Sequence, residues 1–289
     1  MLVQEIASGV FVAADPAGAN LGLIKTSVGA VLIDAPWAPE QVRAWRAEVE
    51  RLSPTGVAYL ITTDYHWSHA LGTCFLPSAL TIAHEAAWKY LRSSEWMASF
   101  ERMLEQRQIS DSKAQIEGGQ FVLPQLTVGK SMTLWCGDRR IDILHLGGHT
   151  AATLGVYLPD VRVLFSGDVV VNGRPPYVGD ANSREWLESL EHIRTMDIQT
   201  IVPGHGRPGG LELADQIYRY LKDLRTRVEA CYQAGYTRRE TVERVKSLDG
   251  YSVAPGDEER IRRLLRSGVE RIYDEIKKEN TRNRSRDQA

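Results

Sequence analysis

One stretch limits what this chain can fold into more than any other. An apolar run, Val57 to Ile61, is followed directly by Thr63-Asp64-Tyr65-His66-Trp67-Ser68-His69-Ala70-Leu71-Gly72. β-Branched, aromatic and leucine residues closed by polar ones read as a buried strand whose carboxyl end opens into a loop. Imidazoles and a carboxylate placed there can converge on a metal. Three later runs repeat the arrangement: Ile141 to Leu146 before Gly147-Gly148-His149-Thr150, Val161 to Phe165 before Ser166-Gly167-Asp168, and Ile198 to Val202 before Pro203-Gly204-His205-Gly206. Open sheets bind ligands outside the carboxyl ends of their strands. The four loops are therefore expected to gather at one edge and form one site.

In this order the residues resemble the metallo-β-lactamase-fold hydrolases, whose pattern is His-x-His-x-Asp-His followed by Gly-His-Thr, Gly-Asp and Gly-His. The likeness runs over roughly residues 1 to 210 and takes in Asn20-Leu21-Gly22-Leu23-Ile24 and Leu32-Ile33-Asp34. Two positions depart: Asp64 stands where the family has its first His, and Ser68 where it has its Asp. The resemblance implies an α/β fold, the αβ/βα four-layer sandwich. It also implies a first metal held by Asp64, His66 and His149 and a second held by His69, Asp168 and His205, with Asp168 bridging and Asp34 supporting the ligand loop. The implied cation is Zn2+, one or two per chain, with iron or manganese as alternatives.

The activity implied is a metal-dependent hydrolysis, in which a metal-bound hydroxide attacks a small-molecule ester, lactone, thioester, amide or phosphoester. Asp168 and Asp64 are the expected catalytic carboxylates, Asp64 taking over part of the work of the missing Asp. The exchange at 64 and 68 keeps the number of carboxylates and moves one of them, which is expected to weaken the second metal more than the first. Two other readings compete. An iron-dependent oxidoreductase of the same fold would use the same ligand types, and a binding protein would have lost catalysis with the Asp that Ser68 replaces. Metal content and the Ser68→Asp variant separate these readings.

At 289 residues the chain can bury a large core. Its 43% apolar and 25% charged residues are ordinary for a globular protein, and a net charge of -2 argues for neither nucleic acid nor a membrane surface as partner. No run approaches the roughly 18 apolar residues of a membrane span. The sequence shows no basic stretch leading into an apolar core and cleavage site, so a cytoplasmic location and a small-molecule partner are the expectation. Cys74, Cys136 and Cys231 are far apart and odd in number, and read as small buried hydrophobes.

Along the chain, short runs with Gly and Pro breaks up to Ile33 read as an antiparallel start to a sheet. Pro39 to Leu52 reads as a helix with Val42, Trp45, Val49 and Leu52 on one face, and a second helix is expected from Glu85 to about Met103. Residues 93 to 120 look like an insertion beside the site, with Trp96, Phe100 and Met103 packing along one helical face. The loop Asn172-Gly173-Arg174-Pro175-Pro176-Tyr177 leaves a ligand-bearing strand end, so Arg174 and Tyr177, with Trp67, are the candidate substrate contacts. His84, His145 and His192 read as structural.

The division expected is a metallo-β-lactamase-like domain over 1–210, a helical extension over 211–279 and a disordered charged tail over 280–289. Leu213, Ile217, Leu221, Leu224 and Val228 stripe the first helix of the extension. Thr237 and Glu240 have capping-box spacing, and Asp257 is placed to cap the last helix. The extension packs on the main domain or joins two copies as a homo-oligomer.

Overall fold

The structure, a computed structural model, describes residues 1–14, 18–76, 80–96, 98–99, 102, 123–246, 256 and 258–287. Among these, seven strands form the first sheet in chain order: β1 (Val3–Ala7), β2 (Val10–Ala13), β3 (Leu21–Thr26), β4 (Gly29–Ile33), β5 (Val57–Ile61), β6 (Leu80–His84) and β7 (Leu126–Val128). β1 to β4 run antiparallel and β4 to β7 parallel. The second sheet takes β8 (Ser131–Cys136), β9 (Arg139–His145), β10 (Leu154–Leu158), β11 (Val163–Phe165) and β12 (Thr200–Val202) in the spatial order β12-β11-β10-β9-β8. Only its β11–β12 pair is parallel.

The sheets stack face to face, and helices cover both outer faces. β4, Gly-Ala-Val-Leu-Ile, is buried at every position, as a strand covered on both sides must be. Its Val31 and Ile33, with Ile61 and Ile82, meet Ile143, Val156 and Phe165 of the other sheet. Leu32 and Leu60 point the opposite way, onto Trp45 and Val49 of α1 (Pro39–Leu52). The other face of the second sheet, through Leu164 and Ile201, packs on Trp186, Leu190 and Ile193 of α4 (Ser183–Thr195). The same cluster includes Ile217 and Leu221 of α5 (Glu212–Gln233) and Val269 and Ile272 of α7 (Glu258–Asp287). This is the expected αβ/βα sandwich, with helices at its C-terminal end.

Between α1 and α4 lie α2 (Trp67–Ala70), a single turn in the ligand loop, and α3 (Glu85–Leu91). α3 is shorter than the sequence predicts because Ser93 Oγ takes the Trp96 N–H and restarts the chain on a new turn. Trp96 is buried with Trp37, Ala70 and Leu91. Phe100, Met103, Leu248, Asp257, the side chain of Cys74 and most of the expected insertion lie outside the described residues. The capping box opens α6 (Arg238–Arg244) as its spacing predicts. α7 continues to Asp287, into the expected tail, with Asn280 Nδ2 and Thr281 Oγ1 donating to the carbonyls of Ile276 and Lys277 one turn back. Cys136 is buried and Cys231 half-buried, both as free thiols. No helix among the described residues is long and apolar enough to cross a membrane.

Candidate metal centre

The four strand ends meet at one edge of the sandwich. Asp64, His66 and His69 follow β5, His149 sits between β9 and β10, Asp168 follows β11, and His205 follows β12. The ligand atoms of Asp64, His66 and His149 all lie within 4.8 Å of one another, and so do those of His69, Asp168 and His205. Asp168 Oδ2 borders both groups, 3.5 Å from His69 Nε2, 3.5 Å from His205 Nε2 and 3.6 Å from His149 Nε2. His66 Nδ1 is 3.4 Å from Asp64 Oδ1 and 3.2 Å from His149 Nε2. Donors bound tetrahedrally at about 2.1 Å stand about 3.4 Å apart. The side chains are therefore spaced as ligands around a cation.

Their outer hydrogen bonds decide which nitrogen is bare. His69 Nδ1 lies 2.8 Å from Asp34 Oδ2, and since a carboxylate only accepts, the proton is on Nδ1. In the neutral ring, the form that binds a cation, His69 Nε2 is then a buried lone pair; neither it nor Asp168 Oδ1 has a hydrogen-bond partner. His205 Nδ1 donates to Gly18 O at 2.6 Å, which bares its Nε2. His66 is turned round: Nε2 donates to Asp180 Oδ2 at 3.1 Å and Nδ1 is bare. Buried polar atoms are normally paired, so the unpartnered His69 Nε2, 3.5 Å from Asp168 Oδ2, fits a bound cation. His149 differs, since its Nδ1 has no partner; its ring stands edge-on to Trp186, centroids 5.1 Å apart.

The loops are built to hold these groups. Asp34 has φ 57°, uncommon for a residue with a side chain. That turn brings its carboxylate to the Thr63 N–H and Thr63 Oγ1, both at 2.7 Å, as well as to His69. Asp64 is fully buried; its Oδ2 accepts from Thr150 Oγ1 at 2.8 Å and Thr153 Oγ1 at 2.7 Å, and its Oδ1 from the His66 N–H at 3.1 Å. Gly204 must lack a side chain, because a Cβ there would sit 2.0 Å from Asp168 Oδ1. Asn20 ties that loop down, donating from Nδ2 to the carbonyls of Pro203 and Gly206.

Burial raises the pKa of Asp168, but His205 and His69 outweigh it and hold the carboxyl well below its ordinary range. Asp64 is lowered in the same way, burial being overcome by His66 and His149. Burial works against a charged His69, yet Asp34 and Asp168 raise it well above the ordinary imidazole value. His149 is lowered, chiefly by burial. The centre thus holds its two carboxylates ionised.

Of the candidate substrate contacts, Tyr177 stands beside the first group, ring centroids 6.0 Å from His66 and 6.3 Å from His149. Arg174 is half-buried, its pKa lowered by burial and supported by the charge of Asp168. Trp67 packs edge-on to Trp37 at 5.1 Å, in the apolar layer beneath the loop. Ser68 is buried on α2. His84 and His145 stack at 4.1 Å, and His84 caps α3 through Nδ1 while its Nε2 donates to Gly129 O. His192 is exposed on α4. Asp180 and Thr153 were not legible from spacing, for each reaches the centre across a long sequence separation.

A two-sheet sandwich with imidazoles and carboxylates gathered where its strands end defines a class of metal-binding α/β proteins. The family model of the metallo-beta-lactamase superfamily matches residues 14–205, and the chain belongs to that superfamily. It is 23% identical over 268 residues to a linear primary-alkylsulfatase of Pseudomonas sp. (strain ATCC 19151), an alignment covering 80% of this chain and 51% of that protein, about half its length. It is 22% identical over 233 residues to an acyl-coenzyme A thioesterase of Gallus gallus, covering 74% of this chain and 81% of that one. The solved structure of a metallo-beta-lactamase from Pontibacter korlensis superposes with a TM-score of 0.57 at 20% identity, over 76% of this chain and 98% of that one.

Proposed function

We propose that this protein is a zinc-dependent hydrolase that cleaves an ester, lactone, thioester, amide or phosphoester bond in a small molecule. The observation that carries this reading is the border position of Asp168 Oδ2, within 3.5 to 3.6 Å of three imidazole nitrogens. In it, Asp64, His66 and His149 hold one cation, and His69, Asp168 and His205 hold the other. A cation bound there supplies an acidified water and polarises the bond under attack.

The chain's own residues do the rest. Asp168 keeps its negative charge between the two groups. Asp64 accepts from three donors and has a lowered pKa, which suits a fixed anionic ligand better than a group that picks up and releases a proton. Tyr177, its hydroxyl pushed up to about 12 by burial, stays protonated and donates to Asp180 beside His66. Arg174 brings a positive charge into the field of Asp168.

The names of the relatives put alkyl sulfates, acyl-coenzyme A thioesters and β-lactams at the head of a substrate screen, with lactones and phosphodiesters beside them. Metal analysis of protein purified without chelators should find zinc at one or two equivalents, and at least one of these substrates should be hydrolysed in a chelator-sensitive way. Two imidazoles and a carboxylate in each group also suit iron. Iron in the protein, with oxygen consumed and no hydrolysis, would replace this reading with the oxidoreductase.

A further inference from the structure

We propose that Asp180 is the positioning residue for the group Asp64, His66 and His149, and that α7 sets where Asp180 stands. The proposal rests on the reading that this group holds a cation. An imidazole in water carries its proton on either nitrogen; Asp180 Oδ2, 3.1 Å from His66 Nε2, selects the form in which Nδ1 is bare and faces Asp64. His66 needs such a partner more than the deeper rings do, because its side chain is 21% exposed whereas that of His69 is fully buried. Asp180 itself has a side chain 48% exposed. It cannot be held in place by burial.

What holds it is the Tyr177 hydroxyl, which hydrogen-bonds the carboxylate, and the chain that follows. Arg271 Nε donates to Ala181 O at 2.5 Å, and Asn182 N donates to Gly148 O at 2.8 Å while the Asn182 side chain caps α4. Glu275 accepts from the Ser183 N–H and hydroxyl, and Arg225 Nη1 donates to Ser183 Oγ at 2.8 Å while its Nη2 pairs with Glu279 at 2.6 Å. Three consecutive residues after Asp180 are thus fixed, two of them by Arg271 and Glu275 of α7. Arg225, Arg271 and Glu275 all lie beyond residue 205, where the superfamily match ends. The C-terminal helices therefore reach the centre through one carboxylate.

The test uses the full chain freed of metal and titrated with Co2+ against a chromophoric chelator, cobalt absorption reporting each equivalent as it binds. His66→Ala identifies the equivalent that belongs to this group. Asp180→Ala should weaken that equivalent by roughly 10- to 100-fold, the usual cost of losing an outer partner of a metal-bound His, and leave the other within about twofold. Asp180→Asn, which keeps an acceptor oxygen, should recover most of the loss, and Arg271→Ala should weaken the same equivalent by less. Both equivalents unchanged in Asp180→Ala, both weakened alike, or Asn no better than Ala would each overturn the role of Asp180. An Arg271→Ala variant identical to wild type would overturn the part given to α7. A wild-type protein that takes up no cation would overturn the hydrolase reading itself, which distinguishes that failure from an indifferent Asp180→Ala.

Discussion

The two ligand groups use the same donors, two imidazoles and a carboxylate, and are supported in different ways. His69 and His205 are oriented by Asp34 at the end of β4, by Thr63 at the end of β5 and by Gly18 before β3. Those partners are the edge of the sandwich itself. His66 is oriented by a half-exposed carboxylate on a later loop, and His149 Nδ1 has no partner. The inner group is thus oriented by partners belonging to the sheet edge, whereas in the outer one Asp64 is seated by buried Thr150 and Thr153 and His66 alone depends on a contact near the surface. The group whose His66 rests on a half-exposed partner is also the one beside Tyr177.

In the proposed reading Asp168, whose Oδ2 borders both groups, serves both cations, so Asp168→Ala should have the largest effect. Both equivalents of cation should be lost, with affinities falling beyond the roughly 100-fold that an outer partner is worth. Elemental analysis after dialysis checks this, and retention of one full equivalent would show that the groups do not share the carboxylate. Asp64→Asn keeps the shape and removes a charge only from the outer group. It should empty that group alone and depress hydrolysis with it. Full metal content and full turnover would remove Asp64 from the centre.

The inner group is broken selectively by Asp34→Asn, which should weaken the other equivalent by roughly 10- to 100-fold. It also has a signature without metal. Burial lowers the His69 pKa, but Asp34 and Asp168 raise it well above the ordinary 6.5. A raised imidazole stabilises the fold fully below its unfolded value and loses that contribution as pH rises through the folded one. The stability gap between metal-free wild type and Asp34→Asn should therefore be widest below about pH 6.5 and shrink toward alkaline pH. A gap that widened with pH would contradict the Asp34–His69 pairing.

The inner half and the ligands themselves were legible because each is announced locally, an apolar strand ending in small residues and then one His or Asp. α1 was readable from its 3.6-residue stripe and the Pro at its start. Asp180 was not, since an Asp directly after Val178-Gly179 looks like a turn former, and its bond to His66 spans 114 positions. Ser93 ended α3 through a capping bond that periodicity does not register. Ser131 to Cys136 is an edge strand whose apolar residues are interrupted by Ser131 and Thr133, so it does not stand out as a continuous apolar run. Charge alone marked residues 280 onward as a tail, while the described backbone continues the turns of α7. What escaped the sequence is what long-range contacts decide.

The smallest expected effect concerns the seat of Asp64. Thr150 Oγ1 and Thr153 Oγ1 both donate to Oδ2, so the oxygen turned toward His66 Nδ1 is Oδ1. Thr153→Val removes one of the two donors at nearly constant volume, and a hydrogen bond to a charged group is worth about 1.5 to 3 kcal/mol. The metal-free fold should lose about that much in a denaturant titration. The outer cation should weaken by less than about tenfold, because Thr150 and the His66 N–H still hold the carboxylate. The inner cation should bind as before. If Thr153→Val instead weakened the inner equivalent, the two supports would be coupled through the loop between β9 and β10, and the separation of the two groups by their separate supports would fail.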